Sequence, residues 1–272
     1  MQFLKDLPVL VLGLGDSGLA MARWCARFGA EVTVWDSREK APHAAALQAE
    51  VPAARRMAAL PAVLGGDGSP RLILKSPGLA PHDPLVAPLL EEARAAGIAV
   101  LGELDLFVRA LADLKAAWAY APKLLAITGT NGKTTVTSLT GQLVERAGKS
   151  VAVAGNIGPT LLDTLMARLD ANALPEVWVL ELSSFQLATT RSLACDAAAV
   201  LNVTQDHLDW HGSFEAYAKA KARIFGPKTV QVLNRDDPVV AAMAKKGAPV
   251  VTLRLQRPEH ADEYGLVGEA GI

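Results

Sequence analysis

Short uninterrupted apolar runs recur along this chain, and most are followed by a segment whose apolar residues fall at helical spacing. Pro8 to Leu12 is such a run, and Gly13-Leu-Gly15 ends it. Leu19 to Phe28 then reads as a helix stopped by Gly29, and Glu31 to Trp35 as a second strand. Further strands are predicted at Arg71 to Leu74, Ile98 to Leu101, Leu124 to Ile127, Ser150 to Ala154, Val177 to Leu182, Ala197 to Val203, Val230 to Leu233 and Val250 to Leu255. Helices are predicted at Pro84 to Ala96, Gly102 to Leu114, Lys133 to Ala147, Pro159 to Leu169, Phe214 to Phe225 and Asp237 to Lys245. Ala41 to Gly68, rich in alanine, proline and glycine, carries no readable pattern. Ala261 to Ile272 reads as the start of a hairpin, whose strand Glu-Tyr-Gly-Leu-Val finds no partner in the remaining chain. Continuous apolar strands alternating with helices predict an α/β protein with parallel sheets buried on both faces. The expected architecture is an N-terminal Rossmann-like domain over residues 1–98, followed by a phosphate-loop-type α/β ATPase domain over residues 99–272.

Two glycine turns carry the candidate chemistry. Gly13, Gly15 and Gly18 spell G-x-G-x-x-G between a strand and a helix, and Asp36 stands 18 residues beyond the last glycine. That order suits a bound nucleotide, with Asp36 on a ribose or simply a solvated strand end. Ser76-Pro77-Gly78 follows another strand, at the carboxyl end where open α/β sheets place ligands, and a plain turn is the competing explanation. The second turn, Gly129-Thr-Asn-Gly132-Lys133-Thr134, lies between the Leu124 strand and the Lys133 helix. Its glycines allow a tight bend with N–H groups toward phosphate, Lys133 offers a positive charge, and Thr134 a hydroxyl for Mg²⁺; an ordinary strand-to-helix turn with a surface lysine is the alternative. It is shorter than the usual G-x-x-x-x-G-K-[ST] loop, because Ile127 occupies the first glycine position.

Three other groups stand out. Glu181 ends a buried strand, where an ionised carboxylate is costly unless paired or bound to a metal. His207 lies between Asp206 and Asp209 at another strand end, and either a metal ligand or an ordinary satisfied histidine fits that setting. Lys219, Lys221 and Arg223 suit the last turns of their helix and read on chemistry alone as a solvated face.

Composition narrows the class. The hydrophobic share is 51%, much of it alanine, and formal net charge is −1 with both signs interspersed, so no basic stripe points to nucleic acid. The apolar runs fall far short of the roughly 20 residues a membrane helix needs, and the first residues lack the pattern of a secretory signal. A cytoplasmic protein is expected. Cys25 and Cys195, far apart and outside any C-x-x-C spacing, read as buried thiols.

Four stretches together resemble the Mur ligases, ATP-dependent amide-forming enzymes of peptidoglycan precursor synthesis. Gly129 to Thr135 is similar to the family's ATP signature, Glu181-Leu-Ser-Ser-Phe-Gln-Leu187 to its metal-binding strand end, and Asn202 to Asp209 to its histidine motif. Tyr217-Ala-Lys-Ala-Lys-Ala-Arg-Ile224 resembles the segment whose lysine is carbamylated, which corresponds to Lys221. The N-terminal Gly-Leu-Gly-Asp-Ser-Gly, Val34-Trp-Asp-Ser-Arg38 and Ser76-Pro-Gly78 look most like those of the member that adds D-glutamate to UDP-N-acetylmuramoyl-L-alanine.

The resemblance implies roles. Gly129, Thr130, Asn131, Gly132, Lys133, Thr134 and Thr135 would hold ATP. Thr134 and Glu181 would ligate one Mg²⁺, with His207 and carbamylated Lys221 assisting at a second. The UDP-substrate would meet Gly15, Asp16, Ser17, Asp36, Ser37, Arg38, Ser76, Pro77, Gly78, Asn156 and Ser183. Lys133, Glu181, His207 and Lys221 would serve catalysis, in a monomer. Family members carry a third, C-terminal domain, and none is expected within this chain, so turnover by these residues alone is not expected. A folylpolyglutamate-synthetase-like ligase shares the short loop, and a non-catalytic nucleotide-binding module is a further alternative. A nicotinamide-dependent dehydrogenase would suit the first glycine turn but leaves the second loop, Glu181 and His207 unexplained.

Overall fold

The computed structural model describes residues 1–66 and 68–267. Backbone contacts divide the chain into two compact units. One comprises residues 1–120 with 159–174 and 189–191; the other comprises 121–158, 175–188 and 192–272.

The first unit holds a parallel sheet in the order β3-β2-β1-β4-β5. Its strands are β1 (Pro8–Leu12), β2 (Glu31–Trp35), β3 (Arg55–Arg56), β4 (Leu72–Lys75) and β5 (Ala99–Leu101). Around them run α1 (Asp16–Arg27), α2 (Ala44–Glu50), α3 (Ala87–Ala95) and α4 (Glu103–Trp118). Leu10, Leu12, Ile73, Val86 and Leu89 form a core beneath the sheet with Trp35, all nearly inaccessible to solvent. The strand order reverses between β1 and β4, and the crevice at such a reversal is where α/β sheets bind ligands. The first glycine turn lies there because nothing larger fits: a Cβ on Gly18 would stand 1.9 Å from the Gly13 carbonyl oxygen, and Gly13 has φ +87°.

The second unit holds a parallel sheet in the order β12-β11-β10-β9-β6-β8-β7. Its strands are β6 (Lys123–Thr128), β7 (Val151–Gly155), β8 (Val177–Glu181), β9 (Ala197–Val200), β10 (Val230–Asn234), β11 (Val250–Leu253) and β12 (Glu263–Tyr264). The helices within it are α5 (Lys133–Arg146), α7 (Ser184–Thr189, whose last residue groups with the first unit), α8 (Leu208–His211), α9 (Phe214–Ala222) and α10 (Pro238–Ala241). Helix α6 (Leu161–Asp170) follows β7 in the chain but packs with α1 and α4 as part of the first unit.

Several expectations need correcting. The unreadable Ala41 to Gly68 contains α2 and β3, each too short for periodicity to register. The segment read as an unpaired hairpin strand instead pairs in parallel with β11, Thr252 opposite Glu263 and Leu253 opposite Tyr264. The Glu263 carboxylate, buried, receives Arg235 and the Glu259 N–H, which fixes this edge. The remainder of that expected hairpin, 268–272, lies outside the described residues. Helices α9 and α10 end earlier than predicted, and α4 runs four residues further, to Trp118.

Candidate nucleotide and substrate sites

In the second unit, β6 is central, with β8 on one side and β9 on the other. This arrangement brings three carboxyl ends together. Ile127 lies inside β6, opposite Glu181 on β8 and Ala199 on β9, and is 4% exposed. An apolar residue there extends the strand, which is why the turn is short. The turn closes at Gly132, φ +80°, the N-cap of α5.

Glu181 is 1% exposed at the end of β8. One of its oxygens accepts the Thr134 hydroxyl at 2.9 Å and the other the Asn156 amide at 3.0 Å. Both donors are neutral, so they satisfy the lone pairs without balancing the charge. A buried hydroxyl–carboxylate pair at the end of a phosphate-type turn fits Mg²⁺, which prefers one or two protein oxygens plus phosphate oxygens and water. Among the described residues no three His, Cys, Asp or Glu side chains gather into a protein-only cage. Gly155 permits Glu181 to come this close to β7: it has φ +132°, and a Cβ would stand 2.1 Å from the Glu181 carbonyl oxygen.

The turn itself is clamped by Asn202, just beyond β9. Its side-chain oxygen accepts the Thr130 and Asn131 N–H groups at 3.1 and 2.8 Å, and its amide donates to the Asn131 carbonyl at 3.1 Å. Those two N–H groups are therefore held internally. The Thr130 hydroxyl meets the Tyr217 hydroxyl at 3.0 Å. Lys133 lies over the turn, donating to the carbonyls of Gly129 and Thr130 at 3.0 and 2.9 Å. Asn202 and Tyr217 open two of the family-like motifs, yet residue type and spacing alone give neither a role.

Lys221 contradicts its reading as part of a solvated face. It is 2% exposed, donates to the Gly129 carbonyl at 2.7 Å and lies 4.5 Å from the centre of the Tyr217 ring. Burial, reinforced by Lys133, lowers its pKa to about 7. His207 has φ +51° and a half-exposed side chain, with Asp206 at 3.4 Å and its ring against Phe185. His211, also unanticipated, meets the Ser184 hydroxyl at 3.0 Å. Burial lowers the His211 pKa to about 4, with help from His207 and Lys221. The Ser183 hydroxyl is engaged with Gln186 at the start of α7.

In the first unit, Asp36 is a staple. Its side chain, 2% exposed, accepts the Leu14 N–H at 2.6 Å and the Arg38 guanidinium at 2.8 Å through each oxygen. The Arg38 hydrogen bond leads the causes that hold its pKa down at about 2. The carboxylate thus ties the end of β2 to the glycine turn, leaving the exposed Arg38 at the rim beside Ser37. Ser76 donates to the Gly13 carbonyl at 3.0 Å, and Pro77 and Gly78 form the turn after β4. Beneath them the buried Lys75 donates to the Ser76 and Leu79 carbonyls. Asp16 is exposed and pairs with His43 at 2.7 Å, while the Ser17 hydroxyl is committed to Glu103. Cys25 and Cys195 are buried free thiols with pKa pushed up to about 12 by burial.

Fold and site define a two-unit α/β protein with a dinucleotide-fold glycine turn and a shortened phosphate-type loop. Residues 127–265 match the Mur ligase middle domain, and residues 8–102 the MurD-like N-terminal domain of Mur ligases. The chain belongs to the Mur ligase family. It is 60% identical over 260 residues to UDP-N-acetylmuramoylalanine--D-glutamate ligase of Albidiferax ferrireducens, covering 95% of this chain and 50% of that protein. To the ligase of the same name from Burkholderia multivorans it is 57% identical, covering 97% and 53%. It therefore spans about half the length of these relatives. The fold is shared with UDP-N-acetylmuramate:L-alanyl-gamma-D-glutamyl-meso-diaminopimelate ligase from Neisseria meningitides, with TM-score 0.55, 16% identity, and coverage of 90% and 77%.

The Asp36 staple has a measurable consequence. Its pKa is depressed on folding, so its stabilisation is full above the unfolded value near 4 and is lost as pH falls through about 2. Asp36→Asn is expected to lower unfolding free energy by on the order of 2 kcal/mol at pH 7, with the gap narrowing below about pH 4. Urea melts at several pH values would reveal this; a gap that does not change with pH would contradict it.

Proposed function

We propose that this chain carries the UDP-substrate and ATP sites of an ATP-dependent ligase that joins D-glutamate to UDP-N-acetylmuramoyl-L-alanine. The observation that carries the reading is the buried Glu181 with Thr134 at the end of the short loop, in a chain 60% identical to a ligase of that name. The expected assignment of residues 1–98 to the UDP-substrate and 99–272 to ATP is kept for the strands and loops that carry each site, while residues 99–120 and 159–174, with α4 and α6, group with the first unit. We further place it in the cytoplasm as a monomer, without nucleic-acid or membrane partners; among the described residues no helix is long and apolar enough to cross a membrane.

The N–H groups at the start of α5, with Lys133, would hold the ATP phosphates once the lysine swings from the Gly129 and Thr130 carbonyls. Thr134 and Glu181 would hold Mg²⁺, with His207 and Lys221 serving a second ion. The metal, when bound, offsets charge as phosphate moves between anionic groups. The substrate carboxylate attacks the γ-phosphate, giving an acyl phosphate and ADP. The amine of D-glutamate then adds to that carbonyl through a tetrahedral intermediate, releasing phosphate and leaving an amide. Asn202 and Tyr217 would keep the loop rigid through both steps.

In the first unit, the first turn of α1 would receive the diphosphate on its backbone N–H groups, with the Ser76 to Gly78 turn and Arg38 at its sides. Titration calorimetry tests this: saturable binding of UDP-N-acetylmuramoyl-L-alanine is expected, unaffected by NAD. Tight NAD binding without binding of the UDP compound would overturn the reading.

Lys221 is proposed to be carbamylated. A neutral amine attacks CO₂, and a pKa near 7 supplies that form at physiological pH. In ¹³C-bicarbonate a carbamate carbon signal is expected from the wild-type chain and lost in Lys221→Arg. A signal of equal intensity in the variant would contradict the assignment.

A further inference from the structure

Glu103 begins α4 with a side chain that is 2% exposed. Its two oxygens engage two other helices. One accepts the Ser17 hydroxyl at 2.8 Å in the first turn of α1, and the other accepts the Leu162 N–H at 3.0 Å in the first turn of α6. The three helices belong to one unit and pack pairwise. A single carboxylate thus lies where three helix N-termini converge. Those termini favour an anion, but burial opposes ionisation more strongly and raises the pKa to about 7.

Nearby charged groups each have partners other than Glu103. On α6, Asp163 repels the carboxylate and is itself held by Arg23 of α1 at 3.1 Å. On α1, Asp16 faces His43 at 2.7 Å. On α4, Asp105 accepts the Gly102 N–H and the Thr190 hydroxyl. On β4, Lys75 points its ammonium at the Ser76 and Leu79 carbonyls.

Ser17 joins this buried group to the ligand face, because it follows Gly15 and Asp16 in the turn that would receive a diphosphate. We propose that Glu103 is a positioning residue for the diphosphate, fixing the first turn of α1 through Ser17 and taking up a proton from solvent when the ligand binds. This rests on the UDP-substrate reading above. Two anions at one helix terminus repel, so the bound state favours the neutral carboxyl, which still accepts hydrogen bonds through its remaining lone pairs. The proton comes from buffer, and no covalent bond to the ligand forms. Because binding raises the pKa of Glu103, affinity is greatest below about pH 7 and falls as pH rises through the free-state value, levelling above the bound-state one.

The test is calorimetric titration of UDP-N-acetylmuramoyl-L-alanine into the 272-residue chain, in buffers of different ionisation enthalpy. That ligand's diphosphate diester and carboxylate do not titrate near neutrality. Uptake of roughly 0.3 to 0.5 proton per site is expected at pH 7, with about a tenfold loss of affinity between pH 6 and pH 9 for each unit by which binding raises the pKa. Glu103→Gln should bind with that uptake removed and the pH slope flattened. Ser17→Ala deletes a hydrogen bond that favours the ionised form, so it should move the midpoint of the slope upward, and this arm decides if Glu103→Gln does not fold. Equal uptake in wild type and Glu103→Gln, which would place the proton elsewhere, overturns the proposal alone; an unmoved midpoint in Ser17→Ala does the same. Absence of any binding by the wild-type chain overturns the UDP-substrate reading and this inference with it.

Discussion

A carboxylate buried between neutral donors is the constraint around which the second unit is arranged. Glu181 is held by a hydroxyl and an amide, at the end of a strand that is buried along its whole length. Neutral donors of this kind position a carboxylate without supplying a positive charge, which suits the proposed Mg²⁺. Everything close to it serves that placement. Gly155 lets β7 approach, Ile127 keeps β6 a strand until it stands level with Glu181, and the short turn brings Thr134 to the carboxylate within one helical turn.

The parallel sheets explain why such sites fall where they do. In each unit the side chains with chemistry sit at carboxyl ends of central strands, and the helices that follow present their N-termini to the same region. The two proposed anion sites are built differently. At the phosphate-type loop a lysine and a neutral clamp, Asn202, surround the backbone. At the glycine turn the supporting group, Glu103, is itself an acid near its titration point.

Much of the strand–turn–helix order was legible because buried parallel strands leave continuous apolar runs and because glycines mark the turns. The family motifs identified Glu181 and Lys133 for the same reason: they stand at fixed offsets from such runs. What the pattern concealed was burial on weakly patterned elements. Lys221 sits on α9 among alanines, which mark neither face of a helix as buried, so its enclosure beneath Gly129 left no trace in periodicity. The two-residue β12 could not reveal that it adds in parallel to β11, since pairing direction depends on the path of the intervening chain. Ser17 and Asp36 are expected to meet the UDP-substrate, and their side chains also hold the turn, an engagement that spacing does not display. Residue type and spacing report which groups are near a site, but not which way they point.

The role proposed for Glu181 is to make the loop a metal-dependent nucleotide site. Its most direct test is ATP affinity measured with Mg²⁺ and with EDTA, for the wild-type chain and for Glu181→Gln. Mg²⁺ is expected to tighten ATP binding to the wild type, and the variant to lose this enhancement while binding ATP in EDTA no more weakly, because an anion near the phosphates has been removed. The same Mg²⁺ enhancement in both proteins would contradict it.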